Sequence, residues 1–153
     1  MPAIPAGVRS IARTLRAAGH EAHLVGGCVR DLVRGVPPLD WDVATDARPD
    51  RLLALFPGAR YENRFGTVAV PLPDGVHEVT TFRRDGTYSD HRRPDDVAFG
   101  DTLDEDLARR DFTVNAMAIP LDADGMPGGV VDRFDGRADL AGANSRALEH
   151  LVK

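Results

Sequence analysis

The sequence predicts a single α/β domain in which helices flank a small mixed or antiparallel sheet. Three observations point there. The first half alternates helix-spaced and strand-like runs in the order helix, strand, helix, strand, helix. The second half opens with two apolar or alternating runs, TVAVPL and VHEVTTFR, separated by Pro73-Asp74-Gly75, a hairpin signal. With 153 residues, 42% of them hydrophobic, the chain has enough apolar side chain for one ordinary core.

Taken in order, Val8, Ile11, Ala12 and Leu15 recur at helical spacing and Gly19 supplies a stop, which predicts an amphipathic first helix. EAHLVGG predicts a short buried strand ending at Gly26 and Gly27. CVRDLVRG follows as a helix that Gly35, Pro37 and Pro38 terminate. LDWDVAT is the next strand, and ARPDRLLALFPG a helix with Pro49 near its start and Pro57-Gly58 at its end. After the hairpin, RRDGTYSDHRRPDDVAFG is polar and charged, an exposed loop carrying Arg83, Arg84, Arg92 and Arg93. Asp101 or Thr102 caps a helix through LDEDLARRDF, whose Leu103 and Leu107 lie four apart, and FTVNA continues as a further short helix. AMAIPL is a buried strand, DADG a turn, VVDRF a last strand, and GRADLAGANSRALEHLVK helical.

Composition narrows the function classes. A net charge of −5 excludes a uniformly basic surface as the basis of any nucleic-acid role, leaving room for a local basic patch. The lone cysteine, Cys28, allows neither an intramolecular disulfide nor a cysteine-based zinc site, which fits a reducing compartment. No apolar run approaches the roughly 20 residues of a membrane-spanning helix. MPAIPAGVRS lacks the apolar core of a signal peptide, so a cytoplasmic location without membrane attachment is expected. The five histidines form no ligand spacing.

The chemistry concentrates in Leu24 to Thr45. On a strand, residues two apart share a face, so Asp40 and Asp42 project together while Trp41 and Val43 point into the core. A carboxylate pair of this kind is common on polar strand faces. Here it follows a glycine turn between a strand and a helix, where the absence of Cβ lets backbone N–H groups approach a phosphate. Together they form a unit suited to a nucleoside triphosphate with Mg²⁺, an ion held by one or two carboxylates plus phosphate oxygens. Hydrogen-bonded turn glycines without a ligand have the same sequence. Arg30 lies about one helical turn after Gly26, within reach of the same phosphates, although a solvated or salt-bridged arginine has the same position, and Asp31 fixes a neighbouring basic side chain. Arg109, Arg110 and Asp111 supply donors for phosphate and an acceptor for a sugar hydroxyl; an arginine pair neutralising a helix C-terminus has the same pattern. Glu78 joins the aspartates as a third carboxylate if its strand adjoins theirs, and is otherwise an exposed strand glutamate that shares its face with Thr80 and Phe82.

These strings carry a family resemblance. GGCVRDLVRG followed by LDWDVAT, then HEVTTFRRDGTYSDHRRPDDVAFG and DLARRDFTVNAMAI, resemble in the same order the signature of class II tRNA nucleotidyltransferases (CCA-adding enzymes) and bacterial poly(A) polymerases. Both lie within the polymerase-β nucleotidyltransferase superfamily, and the match runs from about Leu24 to Gly136. The resemblance implies a polymerase-β-type catalytic head over residues 1–140, with 141–153 as the start of a helical neck. It makes Asp40 and Asp42 the metal-binding carboxylates, with two Mg²⁺ ions expected and Mn²⁺ as a substitute. Gly26, Gly27 and Arg30 match the segment contacting the triphosphate; Arg109, Arg110, Asp111 and Asn115 match the part associated with ribose and phosphates. The arginine-rich loop resembles an element that positions nucleotide and primer.

The implied reaction transfers NMP from an NTP (ATP or CTP) to the 3′-hydroxyl of an RNA acceptor, with the tRNA 3′ end as partner, and releases pyrophosphate. Family members continue into a helical region whose EDxxR-like motif reads the incoming base. Arg146 and Glu149 do not reproduce that motif, so weak base selectivity is expected, with a helical partner in trans as one way to complete the protein. A non-catalytic nucleotide- or RNA-binding module is the alternative.

Overall fold

A computed structural model describes residues 3–62, 66–84 and 98–142. Residues 85–97, and with them Arg92 and Arg93 of the predicted loop, lie outside the described residues, as do 143–153 of the expected C-terminal extension. Seven strands form one sheet in the order β3-β4-β5-β2-β1-β6-β7. They are β1 (His23–Val25), β2 (Asp42–Thr45), β3 (Arg60–Tyr61), β4 (Thr67–Leu72), β5 (Gly75–Thr81), β6 (Met117–Pro120) and β7 (Val131–Asp132). Every described pairing is antiparallel except β2 with β5, so the sheet is mixed, as predicted.

Helices α1 (Ala6–Ala17), α2 (Gly27–Val33) and α3 (Pro49–Leu55) bury their apolar sides against one sheet face. Val8, Ile11 and Leu15 of α1, Val29 and Leu32 of α2 and Leu52 of α3 meet Leu24, Val43, Val68, Val79 and Ile119 there. Because side chains alternate along a strand, the next residues in each strand face the other way. Val25 and Ala118 on that second face, with Ala44 and Phe82, form a smaller core closed by Leu107 of α4 (Leu103–Ala108). Among the described residues no helix is long and apolar enough to cross a membrane.

The element boundaries follow local chemistry. Gly19, at φ +84°, ends α1, and Pro49 occupies the first turn of α3. Of the two residues able to cap α4, Thr102 does so: its Oγ1 accepts from the Glu105 N–H at 3.2 Å while Glu105 Oε1 accepts from the Thr102 N–H at 3.2 Å, a reciprocal capping box. The strand predicted over LDWDVAT forms only from Asp42 onward, and Asp40 sits in the bend before it. FTVNA gives a 3₁₀ turn at Thr113–Asn115. β3 is an addition the hydrophobic pattern does not announce, because both its residues are exposed. α5 (Gly136–Gly142) closes the described chain, with Asp132 accepting from the Gly136 N–H at 2.7 Å.

One long-range contact fixes α1. Its N-cap, Pro5, offers no side-chain acceptor, and Asp74 in the β4–β5 turn takes that place by accepting from the Gly7 N–H at 2.8 Å. A side chain at position 7 would collide with Asp74, so glycine permits the approach. The Gly7 amide first, then His77 at 3.0 Å, hold the Asp74 carboxyl below its ordinary value. A carboxyl with a depressed folded-state pKa stabilises above its unfolded value of about 3.9, and that stability is lost as pH falls through the folded value. Asp74→Ala is therefore expected to lower the thermal midpoint at neutral pH, and the gap from wild type to close as acid protonates Asp74. Melting curves across a pH series check this, and a gap independent of pH excludes the carboxylate as its source.

Candidate active site

Asp42 begins β2 at the centre of the sheet, and the strand order sets different chemistry on its two sides. On the β5 side, the parallel register pairs Asp42 with Glu78, so the two carboxylates share a face on adjacent strands. On the β1 side lies the turn from β1 into α2. There Gly26 adopts φ +74° and ψ −142°, a conformation open essentially to glycine alone. A Cβ at Gly26 would lie 3.3 Å from Arg110 Nη1 and 3.9 Å from Asp42 Oδ2. The glycine turn, the carboxylate and the guanidinium therefore meet at one point. Gly26, Asp42 and Arg110, from three separate stretches of the sequence, converge there.

Two further clusters support that point. Arg30 reaches back over its own helix start, with Nη2 placed 3.3 Å from where a Gly27 Cβ would be. It donates through Nη1 to Asn115 Oδ1 at 3.2 Å and through Nε to Asp31 Oδ1 at 3.3 Å. The predicted phosphate and ribose residues of the two halves of the chain are thus hydrogen-bonded to each other. Asp106 in α4, only 1% exposed, holds the arginine pair: Arg109 Nε donates to its Oδ1 at 3.3 Å and Arg110 Nη2 to its Oδ2 at 3.2 Å. The Arg83 N–H adds a third bond to Asp106 Oδ1 at 2.9 Å, tying α4 to the segment leaving β5. Arg110 Nη1 remains turned toward Gly26 and Asp42.

Asp106 has no place in the sequence-derived set, although its spacing three and four residues before Arg109 and Arg110 on one helix face is the signal that finds it. Glu62 is also new, and nothing in the periodicity marks it because the strand that carries the chain to it is short and exposed. Asp40 is exposed in the bend before β2. Asp111 is exposed beyond α4 and makes no ion pair among the described residues. Asp31 holds Arg30 and Arg34, as its position predicts.

Electrostatics distinguish the carboxylates. Burial raises the pKa of Asp42, Arg110 opposes the shift, and the charge of Asp40 adds to it. Glu78 is pushed up to about 7 by partial desolvation of its carboxyl, then by a hydrogen bond with Glu62 and the negative field of Glu62, Asp42 and Asp40. Such a cluster gathers more negative charge than Arg110 compensates. A divalent cation with oxygen ligands fits the donor set of Asp40 and Asp42, although among the described residues no three acidic, histidine or cysteine side chains close into a metal cage. Burial pushes the Cys28 thiol up to about 11 against the opposing hydrogen bond with the Asp42 backbone, and its Sγ donates to the Val25 carbonyl at 3.2 Å; it is therefore a protonated packing residue. Burial lowers the Arg109 pKa against the opposing pull of Asp106.

Comparison with known proteins places these features in a family. The family described as the poly A polymerase head domain matches residues 22–145. The CCA-adding enzyme of Geobacillus thermodenitrificans is 48% identical over 128 residues, which are 83% of this chain and 30% of that protein. That of Lactiplantibacillus plantarum is 43% identical over 149 residues, 97% of this chain and 35% of that protein. The crystal structure of the Bacillus stearothermophilus CCA-adding enzyme in complex with CTP superposes with a TM-score of 0.72 at 40% identity, covering 87% of this chain and 30% of that one. The Thermotoga maritima CCA-adding enzyme complexed with tRNA superposes at 0.66 with 28% identity, covering 88% and 30%. The chain thus spans 30% to 35% of the length of these curated relatives.

Two substitutions probe the site's construction. Asp106→Ala leaves two guanidinium groups without their buried carboxylate and is expected to destabilise by about 3–5 kcal/mol in chemical denaturation. Gly26→Ala imposes backbone strain of about 1–3 kcal/mol and presses toward Arg110. It should weaken triphosphate binding in a fluorescent-nucleotide titration beyond what the stability loss explains, and unchanged binding would separate the glycine turn from the ligand.

Proposed function

Because the chain belongs to the poly A polymerase head domain family, we propose that residues 1–140 are a nucleotidyltransferase catalytic head transferring NMP from an NTP to the 3′-hydroxyl of an RNA, with the tRNA 3′ end as acceptor. The observation carrying this reading is the meeting of Asp42, Gly26 and Arg110, with Glu78 on the neighbouring strand. Carboxylates on one side and a guanidinium on the other are what a metal-bound triphosphate requires.

In this reading Asp40 and Asp42 hold the divalent cations, Mg²⁺ or in its place Mn²⁺. When bound, such ions lower the pKa of an attacking hydroxyl and neutralise charge on the phosphates. Arg30 and Arg110 face the triphosphate from the glycine turn; Asn115 and Asp31 hold Arg30, and Asp106 holds Arg109 and Arg110. Glu78 adds negative charge beside Asp42 on the side away from the arginines. The hydroxyl oxygen bonds to the α-phosphorus as the bond to pyrophosphate breaks. The side chains gathered here address phosphates, metal and sugar, features every NTP shares, so the 153 residues alone are expected to discriminate bases weakly. A helical element, supplied in trans or by continuation of the chain, is the proposed source of sharper selection. The cytoplasm is the proposed location, which the buried free thiol of Cys28 fits.

Primer extension with purified chain, labelled tRNA lacking its 3′ end and each NTP separately tests this. Incorporation from more than one NTP is expected in Mg²⁺ or Mn²⁺, with Asp40→Ala or Asp42→Ala reducing it by about a hundredfold or more. Absence of incorporation from every NTP defeats the catalytic reading. Strict use of CTP and ATP overturns the expectation of weak selectivity.

A further inference from the structure

A cleft of about 460 Å³ opens between the bend before β2 and the start of β5. Asp40, Asp42 and Glu78 line it together with Leu39, Trp41 and Val76. Leu39 is 96% exposed and Val76 62% exposed, so both present apolar surface beside the carboxylates. Val76 lies two residues before Glu78 on β5 and so faces the same way.

The strand order assigns this cleft a different occupant from the triphosphate. β1 and β5 flank β2 on opposite sides. Gly26 and Arg110 meet Asp42 on the β1 side, whereas among the described residues the cleft lining, which also holds His77 and Asp74, includes no lysine or arginine. Arg110 draws polyanionic phosphates to the first side, and the second offers them no described guanidinium or ammonium group. What fits the second is an uncharged group with an apolar face and a hydroxyl for the carboxylate end, namely a nucleoside at a chain terminus.

We infer that Leu39 and Val76 seat the 3′-terminal nucleoside of the RNA acceptor, packing against its base and ribose and directing its 3′-hydroxyl toward Asp40, Asp42 and Glu78. This rests on the proposed transfer to RNA and adds which residues position the acceptor. The two aliphatic side chains contribute contact area that is insensitive to base identity. Leu39 and Val76 are positioning residues, since the reacting atoms lie with the carboxylates.

The test compares wild type, Leu39→Ser and Val76→Ser, changes at exposed positions with unchanged melting temperature expected. Each variant should raise KM for a short RNA acceptor by about three- to tenfold and leave KM for NTP unchanged. An acceptor ending in an abasic ribose should bind wild type as weakly as ordinary RNA binds the variants, and the variants should no longer distinguish the two acceptors. A rise in KM for NTP instead assigns the cleft to the incoming base and overturns the inference, as does no change in either constant. If wild type extends no RNA, the catalytic reading fails separately, and equilibrium binding of fluorescent RNA decides the cleft. Weakened binding in the variants sustains it, and equal or absent binding ends it.

Discussion

The parallel pairing of β2 with β5 is the constraint on which the site depends. Antiparallel neighbours connect by short turns, but a parallel pair requires the chain to leave the sheet and return in the same direction. Here α3 and the strands β3 and β4 fill that excursion. The return brings Glu78 opposite Asp42, and a slip of one residue would turn Glu78 into the apolar layer now occupied by Val79. Hydrophobic burial of Val43 and Val79 beneath α1, α2 and α3 thereby holds two carboxylates side by side on the opposite face, against their mutual repulsion.

That repulsion is balanced from one direction. Asp106, buried next to Leu107 in sequence, draws Arg109 and Arg110 to itself, fixing where α4 ends and which way the second arginine points. A buried carboxylate shared by two guanidinium groups is weak evidence for net stability, because desolvation offsets much of the Coulomb gain. Its clearer effect is orientation: Arg110 reaches Asp42 across the glycine turn while remaining tethered. The result is a field that changes sign across a single strand, cationic toward β1 and anionic toward β5.

Much of this was legible in the sequence where the rule is local. Gly19 as a helix stop, Thr102 as one of two possible caps, the hairpin at Pro73-Asp74-Gly75 and the mixed sheet all follow from turn chemistry and periodicity. The hydrogen bond from Arg30 to Asn115 spans 85 residues, and no periodicity within either segment shows that these side chains meet. Only ordered motifs resembling a known family linked the two halves beforehand. β3 and Glu62 stayed hidden because a two-residue exposed strand leaves no apolar signature. Alternation continues in sequence beyond the point where pairing stops, so the strand predicted through Asp40 begins only at Asp42. Asp106 had a readable spacing, yet a carboxylate in an acidic helix start gives no sign of its burial until the sheet beneath it is known.

The contact between Asp74 and Gly7 bears on the order in which the domain assembles. A twelve-residue helix is marginal in water by itself, and the acceptor that completes the N-terminal end of α1 lies 67 residues downstream. On a ribosome, α1 must wait until both hairpin strands have left the exit tunnel before its end is closed. A helix made before the hairpin thus reaches its final hydrogen-bonding only after it, and the β4–β5 turn serves as the latch between them.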